Sequence, residues 1–200
     1  MAAKQPGVNR FYLLLGVVAV VGVGVLVYLS TGRGAVSIPV NVVVTDADTA
    51  GFRGYLIGSP DAPVEITEYA DYQCPSCQMF ATIQFPDVKA RLIETGRLRW
   101  RYRDFPLDFP SSRLAMHAAA CADDQGKFLE FHERIYNGFN EWNRGGASGV
   151  FRGFAQASGM DVGAYDECMN STRHAGRIQA SLNEGARLGV SSTPTFLIGG

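Results

Sequence analysis

The stretch Glu68-Tyr-Ala-Asp-Tyr-Gln-Cys74-Pro75-Ser76-Cys77 decides the fold of this chain. Its first half belongs to the segment 64–69, which is rich in β-forming residues and begins with alternating apolar and polar side chains. That pattern predicts a strand. Beyond Cys77 the apolar residues recur at helical spacing, which predicts a helix. Cys74 therefore stands where a strand ends and a helix begins.

This position predicts a redox site. Unpaired N–H groups and the helix dipole at a helix N-terminus favour an anion, and the thiolate is the nucleophilic form of a cysteine. Pro75 suits the first helical position, where no N–H is needed. Cys77 lies one turn further along the helix, where it can act as the resolving thiol.

A second motif, near residue 200, accompanies the first. Thr193-Pro194 enters the β-rich run 195–198, and a proline is tolerated at the start of a strand because it need not donate to the ladder. The chain resembles the DsbA-like family of thiol–disulfide oxidoreductases, in the thioredoxin superfamily, from about Gly54 to Gly200. The resemblance is carried by the Thr193-Pro194 motif together with Glu68-Tyr-Ala-Asp-Tyr-Gln-Cys-Pro-Ser-Cys, Arg103-Asp-Phe-Pro-Leu107 and Cys121-Ala-Asp-Asp-Gln-Gly-Lys-Phe128.

The resemblance implies an α/β thioredoxin-like fold with a helical insertion at about residues 111–188. It implies that Pro194 is cis and faces the redox cysteines, and that the Thr193 backbone pairs with an extended substrate. It also implies that Glu68 is a buried acid that relays the proton of Cys77. Alternation along the strand independently favours burial of Glu68, although a solvated glutamate at a strand end is the alternative. The predicted substrate-contacting residues are Pro75, Ser76, Thr193 and Pro194.

The N-terminal part of the chain predicts a membrane anchor. Residues 11–29 carry no charge and are long enough to cross a bilayer, which takes about 20 apolar residues. A cleaved signal peptide is the alternative, but its apolar core usually has only about 7–15 residues. Lys4 and Arg10 place residues 1–10 in the cytoplasm. We therefore expect a single-pass protein of the cell membrane with its domain on the periplasmic or extracellular face.

Between the anchor and the domain, residues 30–53 are expected to be a linker. Its β-prone run 40–44 predicts an added strand, with an extended tether as the alternative. The domain itself is expected at 54–200. The family's fold normally continues past the proline strand with a partner strand and a helix, whereas this sequence stops at Gly200. We therefore expect the strand 195–198 to form an unpaired edge.

The other two cysteines predict a second pair. Cys121 and Cys168 lie on the apolar sides of two predicted helices, and the even number of cysteines in a chain with an export signal favours disulfides. We expect a structural disulfide between them, because neither has a resolving neighbour or stands at a helix start. A second redox couple is the alternative.

Metal binding is the main competing use of Cys74 and Cys77. A Cys-x-x-Cys also spans two ligands of a zinc site, and only His117 and Cys121 could complete it. The strand–cysteine–helix context favours redox chemistry and no bound metal. His117, His132 and His174 are expected at helix surfaces or boundaries.

The function predicted from these motifs is that of a membrane-anchored oxidase that introduces disulfides into exported proteins. It needs no cofactor beyond the Cys74–Cys77 disulfide, which a DsbB-like or vitamin-K-epoxide-reductase-like membrane partner would reoxidise. The alternatives are a reductase or isomerase, or a copper- or zinc-binding module. A net charge of −1 gives no basis for nucleic-acid binding, and we expect a monomer. The arginines of the strand 97–103 are expected on a solvated face, with a basic docking surface as the alternative.

Overall fold

The computed structural model describes residues 7–31 and 36–199 and divides the chain into two compact units, Met1–Ala35 and Val36–Gly200. The first unit contains helix α1, Gly7–Thr31, which includes the predicted anchor. Across the described residues, no helix has both the length and the apolar character needed to cross a membrane. Most of the predicted cytoplasmic segment, residues 1–6, lies outside the described residues.

The second unit is an α/β domain with one four-stranded sheet in the order β1-β3-β2-β4. Strands β2 and β3 are parallel, whereas β1–β3 and β2–β4 are antiparallel. Its elements, in chain order, are α2 Asp46–Thr49, β1 Tyr55–Ile57, β2 Val64–Ala70, α3 Pro75–Met79, a π-helical turn Phe80–Gln84, α4 Phe85–Val88, a second π-helical turn Lys89–Ile93, β3 Leu98–Asp104, α5 Ser112–Asp123, α6 Phe128–Asn137, α7 Phe139–Trp142, α8 Ala147–Ala157, α9 Val162–Ser171, α10 Ala175–Arg187 and β4 Thr195–Ile198.

The two faces of the sheet are different because side chains alternate along each strand. One face carries Glu68, Trp100 and Tyr102 and packs into the main core, which includes most of the buried side chains of the helices between β3 and β4. The other face carries Tyr69, which packs in a smaller cluster with Phe105 and Val190. The α/β fold with a helical insertion is therefore confirmed.

The helical insertion matches its predicted range closely, running from Ser112 to Arg187. Asp161 caps α9 by accepting a hydrogen bond from the Ala164 N–H at 3.0 Å. Thr172, with φ +50°, terminates α9 in the left-handed conformation, and the last helix, α10, begins at Ala175.

The helix after Cys77 is interrupted where the sequence contains Pro86. Two α-helical segments alternate with two π-helical turns between Pro75 and Ile93. A proline inside a helix removes a hydrogen-bond donor and clashes with the preceding turn, which accounts for the interruption. Pro86 lies in the first turn of α4, where its missing N–H costs little.

The linker prediction for residues 30–53 was wrong from Val36 onward. Ile38 is buried, and Val36 and Phe52 pack against the main core. Residues 32–35 lie outside the described residues. The expected strand at 40–44 is also absent from the described chain. Asn41 has φ +53°, which breaks an extended run, and β1 occupies the edge beside β3.

The arginines of β3 do not form the solvated face that we expected. Arg99 and Arg101 both donate to the carboxylate of Glu65, at 2.6 and 2.8 Å, and these hydrogen bonds, from Arg101 above all, lower the pKa of Glu65 to about 2. Arg103 is buried and pairs with Glu184 of α10. Helix α10 covers this end of the strand, which strand alternation alone could not reveal.

Candidate active site

Cys74 stands at the junction of strand and helix that the sequence predicted. It is the N-cap residue of α3, with an extended backbone, and Pro75 follows in the first turn. The Cys74 N–H donates to the Asp71 carbonyl at 3.1 Å, which closes the turn after β2. The Cys74 sulfur lies 3.5 Å from the carbonyl oxygen of Thr193. Two segments that are far apart in the sequence thus meet at one sulfur atom.

The sheet explains this meeting. Strands β2 and β4 are antiparallel neighbours, with Glu68 opposite Phe196 and Tyr69 opposite Thr195. The end of β2 and the start of β4 therefore lie at the same edge of the sheet, and the segments beyond them come together. The Thr193–Pro194 peptide bond is cis, as the family resemblance implied.

The two thiols are both free, and they differ in accessibility. Cys74 is 6% exposed and Cys77 is 0% exposed, while the intervening Pro75 and Ser76 are exposed. Cys74 is thus nearly buried, and the Thr193 carbonyl lies against its sulfur. Burial raises the pKa of Cys77 well above its ordinary value, and the nearby Cys74 and Glu68 raise it further. Cys77 is therefore protonated at neutral pH.

Glu68, near the end of strand β2 before the cysteines, is buried, at 3% exposure. Burial raises its pKa to about 7, against the opposing effect of a hydrogen bond from the indole N–H of Trp100, which is 2.9 Å from Oε2. Its charge is close enough to Cys77 to influence the pKa of that thiol. A carboxyl group that titrates near neutral pH beside a protonated thiol can exchange a proton with it.

Asp71 is a site residue that sequence reasoning missed. Its fully buried carboxylate accepts hydrogen bonds from the Gln73 and Leu107 N–H groups at 2.8 and 2.7 Å and from the Ser112 hydroxyl at 2.7 Å. It thereby ties the cysteine turn to the loop after β3 and to the start of α5. An aspartate that bonds the backbone two residues later is a recognised turn signal, so Asp71-Tyr-Gln73 was available as a clue.

The histidine prediction was wrong for two of the three residues. His117 and His132 are 0% and 3% exposed, and burial lowers the pKa of each, to about 4 and about 3 respectively. The ring of His132 shares a hydrogen bond with the Tyr72 hydroxyl at 2.9 Å. The apolar periodicity of the helices that carry these histidines could not distinguish a buried imidazole ring from one at the helix boundary.

Cys121 and Cys168 are joined by a disulfide that links α5 to α9 across a sequence separation of 47 residues. Both are 1% exposed. Within the described residues, two groups of side chains offer three metal-ligating atoms within 4.8 Å of one another, and neither group includes Cys74 or Cys77. A zinc site at Cys74 and Cys77 would need His117 and Cys121 as its other ligands. These two residues are grouped with Cys168 and not with Cys74 or Cys77.

The comparisons with known proteins agree with this geometry. A family model described as Thioredoxin matches residues 52–200, and the chain belongs to that family. The crystal structure of Wolbachia pipientis alpha-DsbA1 is similar, with a TM-score of 0.65 and 29% identity, over 72% of this chain and 73% of that one. The resemblance to DsbA-like oxidoreductases is therefore confirmed.

Two curated relatives differ in size and description. Disulfide bond formation protein D of Bacillus subtilis is 24% identical over 149 residues, which are 72% of this chain and 66% of that protein. Na(+)/H(+) antiporter NhaA 3 of Salinispora tropica is 31% identical over 150 residues, which are 74% of this chain and 22% of the antiporter. The chain thus spans less than a quarter of the antiporter's length.

Proposed function

We propose that this chain is a thiol–disulfide oxidoreductase that oxidises cysteine pairs in exported proteins. The observation that carries the proposal is the contact of the Cys74 sulfur with the Thr193 carbonyl at 3.5 Å, with Cys77 fully buried beside it. A sulfur at a helix start, next to a backbone segment with which an extended peptide can pair, suits attack by a substrate thiolate.

In the oxidised enzyme, a substrate thiolate attacks the Cys74 sulfur of the Cys74–Cys77 disulfide. A mixed disulfide forms at Cys74, and Cys77 leaves and takes up a proton. Because burial raises the pKa of Cys77, its thiolate is a poor leaving group. Glu68, with a pKa of about 7, supplies the proton that makes departure favourable.

The second step releases the product. Another substrate thiol, as its thiolate, attacks the substrate sulfur of the mixed disulfide, and Cys74 leaves as a thiolate at the start of α3, where unpaired N–H groups favour negative charge. The substrate loses two electrons and two protons in total, and the enzyme gains both electrons. The redox-active disulfide is the only cofactor that this cycle requires.

The direction of exchange is part of the proposal. Ser76 contributes one hydroxyl and no charge between the cysteines, so we expect an oxidase of intermediate strength within the range of about −270 to −120 mV found among thioredoxin-like proteins. A DsbB-like or vitamin-K-epoxide-reductase-like membrane protein would reoxidise it. Net reduction or isomerisation of disulfides is the alternative.

The decisive experiment mixes the oxidised chain with a reduced peptide that contains two cysteines. We expect stoichiometric conversion of the peptide to its disulfide, together with a reduction potential, measured against glutathione, above that of thioredoxin. A potential near −270 mV would identify a reductase instead. Faster rearrangement of a mispaired substrate than oxidation of a reduced one would identify an isomerase.

The proposed location is the extracytoplasmic face of the cell membrane, with Phe11–Leu29 as the anchor. It is supported by the uncharged run at 11–29 and by the likeness to DsbA-type proteins. Protease added to spheroplasts should digest the domain and spare the N-terminal segment. Protection of the domain, or a mature N-terminus near Ala35, would contradict this arrangement.

A second candidate is a redox domain that acts on a membrane cation transporter, favoured by the 31% identity to part of an antiporter. Trapping separates the two candidates, since in Cys77→Ser the Cys74 thiolate attacks a disulfide of its partner, displaces one of the partner's thiolates and stays joined to the other sulfur. Exported soluble proteins in the trapped complexes would support the oxidase, whereas a multi-spanning transporter would support the second candidate.

A further inference from the structure

The disulfide of the helical insertion lies among other metal-ligating side chains. His117 is one helical turn from Cys121 on α5, and its Nε2 is 3.8 Å from the Cys121 sulfur. Asp124, just beyond the end of α5, has its Oδ2 3.6 Å from the Cys168 sulfur. We call Cys121, Cys168, His117 and Asp124 the insertion cluster. The ligand atoms of His117, Cys121 and Cys168 lie within 4.8 Å of one another, as do those of Asp124, Cys168 and His174, so Cys168 joins the two groups.

The insertion cluster is held in place by its surroundings. His117 is fully buried, its Nε2 contacts the Cys168 carbonyl at 3.1 Å, and its Nδ1 has no partner. The Asp124 carboxylate is fixed by His174 at 2.8 Å and by Arg173 at 2.5 Å. The Cα atoms of the two cysteines are 5.8 Å apart on separate helices. These side chains cannot spread far without moving α5 or α9.

The chemistry of the four side chains suits one class of ion. Two thiolates, an imidazole and a carboxylate are a soft to borderline donor set, and structural zinc is almost always bound by four such ligands in a tetrahedron. Hard cations such as Mg²⁺ and Ca²⁺ require oxygen ligands, which are in the minority here. A carboxylate ligand that is itself hydrogen-bonded, as Asp124 is, is the usual arrangement around a metal.

We propose that reduction of the Cys121–Cys168 disulfide creates a zinc site formed by the insertion cluster. A dithiol reductant supplies two electrons and two protons, so that two cysteine thiols form and the dithiol becomes a disulfide. Zinc binding then displaces both thiol protons to solvent and forms two Zn–S bonds, one bond to His117 and one to Asp124. Zinc thereby replaces the covalent link between α5 and α9.

This site is independent of the proposed oxidoreductase function, because it uses neither Cys74 nor Cys77. It gives the insertion two alternative cross-links, a disulfide under oxidising conditions and a zinc ion under reducing ones. The solvent-facing side of the cluster is Asp124, whose side chain is 30% exposed, whereas both cysteines are 1% exposed. Zinc would enter from that side.

The experiment uses the full chain with Cys74→Ser and Cys77→Ser, so that Cys121 and Cys168 are the only thiols. A phosphine reduces the disulfide and becomes a phosphine oxide, with its oxygen taken from water. After removal of the phosphine, the chain is titrated with Co²⁺ and then with Zn²⁺. We expect one ion per reduced chain, with the visible absorption of tetrahedral thiolate-bound cobalt, and no binding to the oxidised chain.

Three variants in the same background test the ligands. His117→Gln and Asp124→Asn should each weaken zinc binding by more than about tenfold, since even outer-shell residues of metal sites contribute 10- to 100-fold. His132→Gln, at a buried histidine that hydrogen-bonds to Tyr72 and belongs to neither group of ligand atoms, should leave zinc binding unchanged. Circular dichroism of each reduced, zinc-free variant establishes that it is folded, and His117→Ala replaces any His117→Gln protein that is not.

The proposal is overturned if the reduced chain takes up no cobalt or zinc. It is equally overturned if both ions bind with unchanged affinity after His117→Gln and Asp124→Asn, because the thiols alone would then account for binding. Equal uptake by the oxidised chain would place the ion elsewhere and would also refute it.

Discussion

The two cysteine pairs of this chain, Cys74/Cys77 and Cys121/Cys168, differ in where their sulfur atoms lie in the fold. Cys77 is as buried as Cys121 and Cys168, with exposures of 0%, 1% and 1%, so burial alone does not distinguish the pairs. The difference lies in the partner cysteine. Cys74 stands at a helix start against the Thr193 loop, whereas Cys121 and Cys168 lie within α5 and α9. A pair serves exchange when one sulfur is placed at an end of a secondary-structure element.

The largest expected effect is the loss of exchange at the first pair. Cys74→Ser should reduce oxidation of a dithiol peptide to the uncatalysed rate, because no other sulfur of the pair is reachable by substrate. Cys77→Ser cannot form the Cys74–Cys77 disulfide and should not oxidise the peptide either. With glutathione disulfide, however, its Cys74 thiolate should form a stable mixed disulfide and release one glutathione thiolate. The matched control, Cys121→Ser with Cys168→Ser, should oxidise the peptide at an unchanged rate per folded molecule. A comparable loss in that control would erase the distinction between the pairs.

The second pair should matter for stability instead. Removing the disulfide with Cys121→Ala and Cys168→Ala opens a span of 47 residues, which on the chain-entropy account costs about 4 kcal/mol. Denaturant unfolding of the oxidised proteins measures this. Cys74→Ala with Cys77→Ala, compared with wild type in which Cys74 and Cys77 are reduced and the Cys121–Cys168 disulfide is intact, removes no cross-link and should cost much less. Equal losses would mean that both pairs hold the fold together.

The raised pKa of Glu68 should make the free energy of unfolding depend on pH. Its pKa of about 7 exceeds the ordinary 4.5, so the folded chain binds an extra proton between those values. Stability therefore falls as pH rises through that window and is level above it. The fall is at most about 1.4 kcal/mol per pH unit and about 3 kcal/mol in total. Glu68→Gln should remove this fall, as measured by unfolding at pH 5, 6, 7 and 8.

Asp104 supplies the matched control for that experiment. It is 1% exposed, and burial raises its pKa from 3.8 to about 7, so Asp104→Asn should remove a fall of the same sign. Only Glu68→Gln should also change how the rate of peptide oxidation depends on pH, since Glu68 lies beside Cys77. An identical rate profile in both variants would deny Glu68 its role as the proton donor.

The smallest expected effect tests the helix that carries Cys168. Asp161→Ala removes the cap of α9 and should cost about 1 kcal/mol, with no change in the exchange rate at Cys74. Asp166→Ala on the same helix breaks an exposed pair with Arg152 and should cost less, because exposed ion pairs contribute about 0–1 kcal/mol. Unfolding by denaturant compares the two, and a larger loss for Asp166→Ala would contradict the capping argument.

Local patterns predicted the features that depend on neighbouring residues. The strand before Cys74 and the helix that follows Cys74 are both consequences of short-range periodicity and turn chemistry. The predictions that were wrong, the strand at 40–44 and the solvated arginine face of β3, failed because contacts with residues distant in the sequence decided the outcome. The run 40–44 has β-forming residues, yet β1 pairs with β3 in its place. The burial of Arg103 depends on α10, which is distant in the sequence.

The positions of Cys74 and Thr193 at neighbouring strand ends have a consequence for the newly made chain. The two residues are 119 positions apart, and synthesis proceeds at roughly 5–20 residues per second, so about 6–24 s separate their appearance. During that interval Cys74 has no Thr193 loop against it, and first Cys121 and then Cys168 are made. The order of translation thus favours early mispairing of Cys74 or Cys77 with Cys121, and correct pairing requires that α5 fold before its cysteine is oxidised.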